Sequence, residues 1–210
     1  DYFTAWVHQI KTPLSVMRLQ LQSEDTPENR AMLAELFQME QYVTMALSYA
    51  RLGNPTKDLV LTRVPLDPVI RQAIRDFAPL LIRKKLRLQY EPTAESALTD
   101  SKWLLFILHQ LLSNAVKYTE RGRVSIRVTS APAIIVADTG IGVAPEDVPR
   151  VFEKGYTGYN GRGGQKSTGL GLYLVHQTAE MLHCRVSLSS RIGEGTSVTI
   201  DLHQEELGKE

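Results

Sequence analysis

The sequence is first informative through what it lacks. Its one cysteine, Cys184, cannot form an internal disulfide, and no Cys/His cluster has the spacing of a metal site. No apolar run reaches the roughly 18 residues that a membrane-spanning helix needs, and no signal peptide is present. The formal net charge is only +1, so composition gives no reason to expect nucleic-acid binding. These absences predict an ordinary globular protein of one or two domains from a reducing compartment.

Apolar residues in the first fifty positions follow a heptad-like spacing that alternates between steps of four and three. They are Phe3, Val7, Ile10, Leu14, Met17 and Leu21, then Met32, Leu36, Met39, Val43, Ala46 and Ala50. The turn-forming segment 23–29 separates the two series, so the pattern predicts an antiparallel helical hairpin. A lone hairpin buries little apolar surface, so we expect it to pair with a second copy as a four-helix bundle. Packing on the rest of its own chain is the alternative. Because the pattern is already under way at Asp1, we also expect a fragment of a longer protein.

A Gly- and Pro-containing segment, 51–57, indicates a linker between a domain at 1–54 and a second at 55–210. The second domain mixes helical and strand periodicities and predicts a two-layer α/β sandwich, with helices on one face of a mostly antiparallel sheet. The expected helices are 68–82, 101–118 (capped by residue 100 or 101) and 169–182. The expected strands are 59–64, 86–90, 123–130 and 133–139, with a hairpin formed by 185–190 and 195–202.

Two motifs of the second domain carry polar groups at the ends of predicted elements. Asn114 and Lys117 are close to one helical turn apart, so they share a face on which an amide oxygen binds Mg²⁺ and an ammonium binds phosphate. Asp138 ends a buried strand and can accept a hydrogen bond from an exocyclic amine, while Gly140 and Gly142 let the backbone approach a ligand. Taken singly, a solvated helix end and a simple Asx turn explain them equally well.

Two further motifs follow. The loop 151–168 is too long and Gly-rich for a simple connection, which favours a mobile lid whose cations reach phosphates. Arg162 is the best candidate among them, because its guanidinium fork suits phosphate oxygens. The stretch "TGLGLYLV" (168–175) then opens a helix, so its free N–H groups and positive dipole end form an anion site. Neither a GxxxxGK[ST] loop nor a Rossmann GxGxxG is present.

In this order the four motifs resemble the ATP-binding domain shared by sensor histidine kinases, gyrase-type topoisomerases, Hsp90-type chaperones and mismatch-repair ATPases, the GHKL fold. The resemblance implies ATP and Mg²⁺ as cofactors. It makes Asn114 the Mg²⁺ ligand and Asp138 the adenine-binding carboxylate. Gly140 and Gly142 would shape the purine pocket, Lys117 and Tyr118 would face the phosphates and base, and the lid hinge and phosphate contacts would come from Gly169, Leu170 and Gly171.

Two stretches narrow the resemblance to sensor histidine kinases. "HQIKTPL" (His8–Leu14) is similar to their phospho-acceptor box, and "VFEKGYTG" (151–158) to their Phe-bearing box, with Phe152 as its landmark. The sequence looks most like the bacitracin-sensing, short-anchor kinases of Gram-positive bacteria, which work beside a peptide-exporting transporter. This implies a homodimer, a response regulator and a membrane ABC transporter as partners, no nucleic acid, and a soluble cytoplasmic part of a membrane-anchored sensor at the plasma membrane.

His8 falls off the apolar stripe of the first helix. A lone exposed histidine usually has no role, but an attached ATP-binding domain and the following "KTP" favour a phospho-acceptor. An imidazole with a pKa near 6.5 is mostly neutral at cytosolic pH, so one nitrogen keeps a lone pair that can attack a γ-phosphorus in line. The resemblance makes this atom Nε2, and it gives Thr12 a part in dephosphorylating the regulator. Pro13 cannot donate to the carbonyl of Gln9, so we expect a helix bend here.

Two positions depart from the family pattern. Gln9 stands where a Glu or Asp usually follows the acceptor histidine; it can orient the ring but should be a poorer base. A natural variant, an engineered Glu→Gln change and a kinase biased away from phosphorylation all explain it. Gln110 stands where the family usually has an Asn, four residues before Asn114, and keeps the amide with one more methylene.

Three functions are therefore weighed from the sequence. The first is a homodimeric kinase that phosphorylates His8 from Mg-ATP and passes the phosphoryl group to an aspartate of a response regulator, with phosphatase activity as well. The second is an ATP-driven conformational switch in which His8 is incidental. The third is mainly a regulator phosphatase or dimerisation module with weak autokinase activity, which Gln9 supports.

Overall fold

The computed structural model describes residues 2–52, 59–158 and 168–203, with side chains from residue 9 to 50 in the first range. The chain divides into two compact units, Asp1–Lys57 and Asp58–Glu210. Across the helices of these described ranges, none combines the length and apolarity needed to cross a bilayer.

The first unit is the expected helical hairpin of α1 (Tyr2–Gln22) and α2 (Pro27–Leu52). The Thr26 hydroxyl accepts from the Asn29 N–H at 3.1 Å, and Pro27 begins the helix, where a missing N–H costs nothing. An ion pair between Arg18 and Glu40 joins the helices. Helix α1 continues through Pro13; a bend at this residue stays a prediction.

The apolar stripe of the hairpin is only partly buried. Leu14 and Leu36 are buried, whereas Met17, Met32 and Met39 are 49%, 57% and 56% exposed. Other large apolar side chains left exposed on the same two helices are Val16, Leu19, Tyr42 and Tyr49. Half of the stripe residues whose side chains the structure describes are therefore exposed in the single chain.

The second unit is a two-layer α/β sandwich. Its helices are α3 (Leu66–Arg83), α4 (Ser101–Tyr118) and α5 (Gly171–Met181). Its strands are β1 (Thr62–Pro65), β2 (Arg87–Tyr90), β3 (Ser96–Thr99), β4 (Arg123–Val128), β5 (Ala133–Asp138), β6 (Arg185–Arg191) and β7 (Gly195–Asp201). The main sheet has the order β2-β4-β5-β7-β6, antiparallel except for β2 against β4.

Alternation along the strands places the core between sheet and helices. Inward residues such as Val124, Ile134 and Ile200 are fully buried, as are residues of the facing helices, among them Ile70, Leu104, Ile107, Leu108, Leu112 and Leu174. Asp100 caps α4, since its Oδ1 accepts from the N–H groups of Lys102 and Trp103 at 2.9 and 3.2 Å. This cap fixes where the helix that carries Asn114 begins.

Sequence periodicity missed one strand and misplaced two helix starts. Strand β3 pairs with β1 in a separate two-stranded sheet, but its four residues are too few to show a period. Helix α3 begins at Leu66, two residues earlier than expected, and α5 begins at Gly171, two residues later than expected. The delay follows from Gly169, whose φ of +64° is incompatible with a right-handed helix.

A non-glycine residue with a left-handed backbone follows each of two helices: Lys85 after α3 and His183 after α5. His183 follows α5 with φ +56°, and the N–H of Cys184 donates to the carbonyl of Ala179 at 2.9 Å, as in a Schellman motif. We expect His183→Gly to raise the free energy of unfolding by about 0.5–1 kcal/mol, because glycine adopts this φ without a Cβ clash. Urea unfolding measures the change. Ser187→Gly, in the middle of β6, is the control and should destabilise; equal effects of both variants would contradict the expectation.

Candidate functional site

Three chain segments meet at one end of the sandwich: the end of α4, the end of β5 and the start of α5. The N–H of Ile141 donates to the carbonyl of Tyr118 at 3.2 Å, which ties the loop after β5 to the end of α4. A Cβ on Gly171 would lie 3.2 Å from Oε1 of Gln110, so the start of α5 lies against the middle of α4. The structure thus brings the motifs around Asn114, Asp138 and Gly171 together.

The end of α4 carries the amide and the cation. Asn114, Lys117 and Tyr118 are all half-buried. The Lys117 ammonium lies 5.3 Å from the centre of the Tyr118 ring, and burial lowers the pKa of this lysine. A partly desolvated ammonium gains more from an anionic ligand than a hydrated one does, which suits it to a phosphate.

Asp138 is the last residue of β5, and its carboxylate points to the helix side of the sheet. The N–H of Gly140 donates to its Oδ1 at 2.8 Å. Burial raises the pKa of Asp138 above the ordinary 3.8, while backbone N–H groups of Gly140 and Thr196 oppose the rise. A half-buried carboxylate with remaining acceptor capacity can bind a donor such as an exocyclic amine.

This raised pKa predicts opposite pH trends for stability and for binding of an amine donor. Because the folded state favours protonated Asp138, its contribution to stability is greatest at low pH and is lost as pH rises through the raised pKa. A base that donates to the carboxylate binds more weakly as pH falls through the same range. Titrating the affinity for a fluorescent ATP analogue against pH tests this, and Asp138→Asn should remove the acid-side decline. An unchanged pH profile in that variant would contradict the role of Asp138 as the carboxylate that accepts from the base.

Position 140 requires a glycine because the end of α4 packs closely against it. It is buried, and a Cβ there would lie 2.4 Å from the Tyr118 carbonyl oxygen, 2.8 Å from Oδ1 of Asp138 and 2.9 Å from Oγ1 of Thr119. Thr119 is fully buried, and its hydroxyl is close enough to the Asp138 carboxylate to oppose the rise of that group's pKa. It lies beside the Asp138 carboxylate as a second polar group of the site, which the sequence analysis missed.

Gly142 has a different neighbour from Gly140. Its φ is +71°, and a Cβ would lie 2.0 Å from the carbonyl oxygen of Arg191, the last residue of β6 before the turn to β7. The Gly193 N–H donates to the Ile141 carbonyl at 2.8 Å and fastens the same turn to the loop. The glycine therefore supports the site from outside by packing on the β6–β7 turn.

The two ends of the predicted lid are joined. The Gly155 N–H donates to the Gly169 carbonyl at 3.0 Å, and a Cβ on Gly169 would lie 2.4 Å from the Gly155 carbonyl carbon. Phe152 contacts His176 of α5, with ring centres 5.5 Å apart. Arg162, the expected phosphate-binding cation, lies outside the described residues.

The start of α5 has the features of an anion site. Among the residues that the structure describes, no side chain caps the helix. Leu170 precedes it, and the Leu170 N–H donates to the Thr168 hydroxyl at 3.3 Å. Gly171 is half-buried and faces Gln110 of α4. The positive end of this eleven-residue helix can therefore meet an anion without a competing carboxylate cap.

Lys84 is a second residue that the sequence analysis missed. It follows α3, and its Nζ donates to the carbonyls of Val116, Lys117 and Thr119 at 2.6, 3.3 and 3.1 Å. These carbonyls lie at the end of α4, where a helix leaves them without backbone partners. No sequence pattern could link these positions, which are more than thirty residues apart. Lys84 fixes the last turn of the helix that carries Asn114 and Lys117.

The residues expected to carry phosphoryl chemistry lie in the first unit. His8, Gln9 and Thr12 all belong to α1. Gln9 and Thr12 are exposed, whereas the His8 side chain lies outside the described residues. Within the described ranges, no cluster of three or more His, Cys, Asp or Glu side chains could hold a metal ion.

Residues 99–206 match the model of the histidine kinase-, DNA gyrase B- and HSP90-like ATPase family. The chain is 36% identical to the sensor protein BceS of Halalkalibacterium halodurans over 98% of its length and 63% of the relative's. It is also 36% identical to the sensor histidine kinase YxdK of Bacillus subtilis, over 94% of its length and 62% of the relative's. The chain thus spans just over three fifths of these curated relatives.

Solved structures give the same fold. Full-length ShkA in complex with AMPPNP is 26% identical, with a TM-score of 0.65 over 95% of this chain and 44% of that one. The Acinetobacter baumannii histidine kinase AdeS, at 20% identity, has a TM-score of 0.63 over 94% of this chain and 98% of that one. The ATPase-type sandwich expected from the sequence is confirmed.

Proposed function

Since the chain belongs to the family of histidine kinase-, DNA gyrase B- and HSP90-like ATPases, we propose that it is the catalytic core of a two-component sensor histidine kinase. It binds Mg-ATP in the second unit and phosphorylates His8 in the first. One observation carries the nucleotide part: Asp138 meets the Asn114-bearing end of α4 through the tight packing at Gly140, and the start of α5 packs on the same helix where Gly171 faces Gln110.

ATP fits the polar groups of this site. The Asp138 carboxylate accepts from the adenine amine, and the buried Thr119 hydroxyl offers a second polar contact beside it. Lys117 and the N-terminus of α5 meet the phosphates, with Gly169 and Leu170 at the hinge of the lid and Arg162 among its cations. Tyr118 borders the base, and Phe152 fastens the lid to α5 through His176.

Mg²⁺ prefers oxygen ligands and retains several waters, so one amide oxygen is enough from the protein. Asn114 supplies it, and buried Gln110 supports the phosphate side from one turn earlier. When bound, the ion neutralises charge that develops on the transferred phosphoryl group.

The reaction we propose is phosphoryl transfer to histidine. Nε2 of neutral His8 forms a bond to the γ-phosphorus while the bond to the bridging oxygen breaks, and ADP leaves. Gln9 accepts from Nδ1–H and holds the tautomer, but being uncharged it stabilises the resulting cation less than a carboxylate would. The phosphoryl group then passes to an aspartate of a response regulator, and Thr12 assists the dephosphorylation of that aspartate.

A homodimer is part of this proposal. The packing of α1 on α2 leaves several apolar side chains of the hairpin exposed, Met17, Met32 and Met39 among them. A four-helix bundle with a second copy would bury them, at roughly 25 cal/mol for each square ångström removed from water. The relatives are named as sensors, so we place the core at the cytoplasmic face of the plasma membrane, with an ABC transporter as a neighbour.

Radiolabelling tests the kinase function. The chain is incubated with γ-labelled ATP and Mg²⁺, and covalent label should be acid-labile, base-stable, lost in His8→Ala and retained in Thr12→Ala. ATP turnover without covalent label would instead support an ATP-driven switch. Absence of nucleotide binding would contradict the proposal altogether.

A regulator phosphatase with weak autokinase activity is the second candidate, and Gln9 favours it. Gln9→Glu restores a carboxylate beside His8 and should raise the labelling rate by about 100-fold or more, the usual contribution of an acid–base group. Glu28→Gln, an exposed change of the opposite sign at the start of α2, is the control. An unchanged rate in Gln9→Glu would show that the amide does not limit the chemistry.

A further inference from the structure

The sheet of the second unit has one face turned away from the helices, here called the open face. Its strand positions alternate with the buried ones and carry five exposed arginines: Arg87, Arg123, Arg127, Arg185 and Arg191. Asp201 is the one carboxylate at an outward strand position of the described sheet. The whole chain has a net charge of only +1, so this excess of positive charge is a local property of the open face.

Three of these arginines are uncompensated. Arg191 pairs with Glu194 at 3.7 Å, and Arg185 lies directly opposite Asp201 across the β6–β7 ladder. Arg87, Arg123 and Arg127 have no ion pair and no side-chain hydrogen bond among the residues that the structure covers. Arg87 and Arg123 are also direct neighbours across the β2–β4 ladder, where like charges repel. Such an arrangement is unfavourable in the isolated domain and becomes favourable when an anionic partner binds.

Arg87, Arg123 and Arg127 flank a row of smaller residues, whereas Arg185 lies farther out, beyond the Ser187–Thr199 pair. Gln89, Ser125, Ala137, Ser197 and Ser189 are paired in turn across all five strands. With strands about 4.8 Å apart the row is about 19 Å long, and Arg123 and Arg127 on its two sides are about 13 Å apart along β4. An α-helix about 10 Å wide fits this width, and about 13 residues at 1.5 Å each span the length.

We propose that the open face binds an acidic α-helix of a partner protein, laid across the strands along this row with carboxylates on both flanks. Arg87 and Arg123 lie on one side of the helix, and Arg127 lies on the other. Guanidinium forks suit carboxylates in bidentate pairs, and Ser and Ala let a helix approach closely.

The chemistry of the face favours a protein over a membrane. Membrane-binding surfaces add aromatic or large aliphatic side chains that insert among the lipids. The apolar residues here are Ala133, Ile135 and Ala137, all half-buried. A flat bilayer would contact the arginine tips and leave the row between them unfilled. The proposal is independent of nucleotide binding, because Asp138 points to the opposite side of the sheet.

Fluorescence anisotropy with synthetic peptides tests the inference. The probe is a labelled 15-residue alanine-based helix with glutamates on both flanks, and its control has the same composition in scrambled order. Arg123→Gln/Arg127→Gln should weaken binding of the patterned peptide at least about fivefold. Arg75→Gln/Arg83→Gln removes the same charge from exposed positions of α3 and should have little effect. Thermal unfolding verifies that both double variants fold, and Arg87→Gln is a single-site alternative.

The outcomes separate cleanly. Preference for the patterned peptide, lost only in the sheet variant, supports the proposal. Equal losses in both double variants, equal binding of both peptides or no binding by the unaltered chain overturns it. Sedimentation with phosphatidylserine vesicles that depends on Arg123 and Arg127 overturns it too, because the face would then belong to a membrane.

Discussion

Gly140→Ala should lower nucleotide affinity by up to about 100-fold. The new Cβ would lie 2.4 Å from the Tyr118 carbonyl oxygen and 2.8 Å from Oδ1 of Asp138, distances at which one of these groups must move. Either movement shifts the Asp138 carboxylate relative to α4 and breaks its hydrogen bond to the base, and a hydrogen bond to a charged group contributes about 1.5–3 kcal/mol. Isothermal titration with an ATP analogue measures the loss.

The matched control for that experiment is Gly193→Ala in the β6–β7 turn. Its φ of +78° makes alanine strained, but a Cβ there meets no heavy atom within 4 Å. We expect a loss of about 1 kcal/mol in the free energy of unfolding and nearly unchanged nucleotide affinity. If both variants lost affinity equally, general destabilisation would explain the effect and the role given to Gly140 would be wrong.

Lys84→Met should have the second-largest effect. It removes three hydrogen bonds to the carbonyls at the end of α4 and leaves those carbonyls to water alone. Hydrogen bonds from charged groups contribute about 1.5–3 kcal/mol each at most, and release of water and of the burial cost borne by the ammonium offsets part of this. We expect the free energy of unfolding to fall by about 1–3 kcal/mol and nucleotide affinity by about tenfold.

Lys85→Met is the control for Lys84→Met. The two lysines are adjacent, but Lys85 is exposed and its φ of +55° is equally strained with either side chain. Urea unfolding and nucleotide titration are measured on both variants. Should Lys85→Met reduce affinity as much as Lys84→Met, the effect would come from lost positive charge near the site, and positioning of α4 by Lys84 would be excluded.

Most elements of the fold could be predicted from the sequence because their signals are local. A cap at residue 100 or 101 indicated the start of α4, alternation along 123–130 indicated one central strand, and the apolar run in 133–139 indicated the other. Strand β3 was missed, since a four-residue strand is defined by its pairing with β1 and has no period of its own. The start of α5 was misplaced because the φ of Gly169 depends on its approach to Gly155, on the other side of the loop.

The sequence by itself was enough to identify the fold of the second unit. The motifs around Asn114, Asp138 and Gly171 each sit on contiguous residues, and their order along the chain was enough to indicate an ATPase fold that the family match confirms. The sequence also identified His8 and Gln9 as candidate residues, because the chemistry proposed for them depends on residue type and immediate neighbours. Only the tertiary structure decided how the site is held: Lys84 on the end of α4, Thr119 beside Asp138, and Gly142 against the β6–β7 turn. Those contacts join residues far apart in sequence, so no local sequence pattern could predict them. The arginines of the open face likewise become neighbours only through the register of the strands.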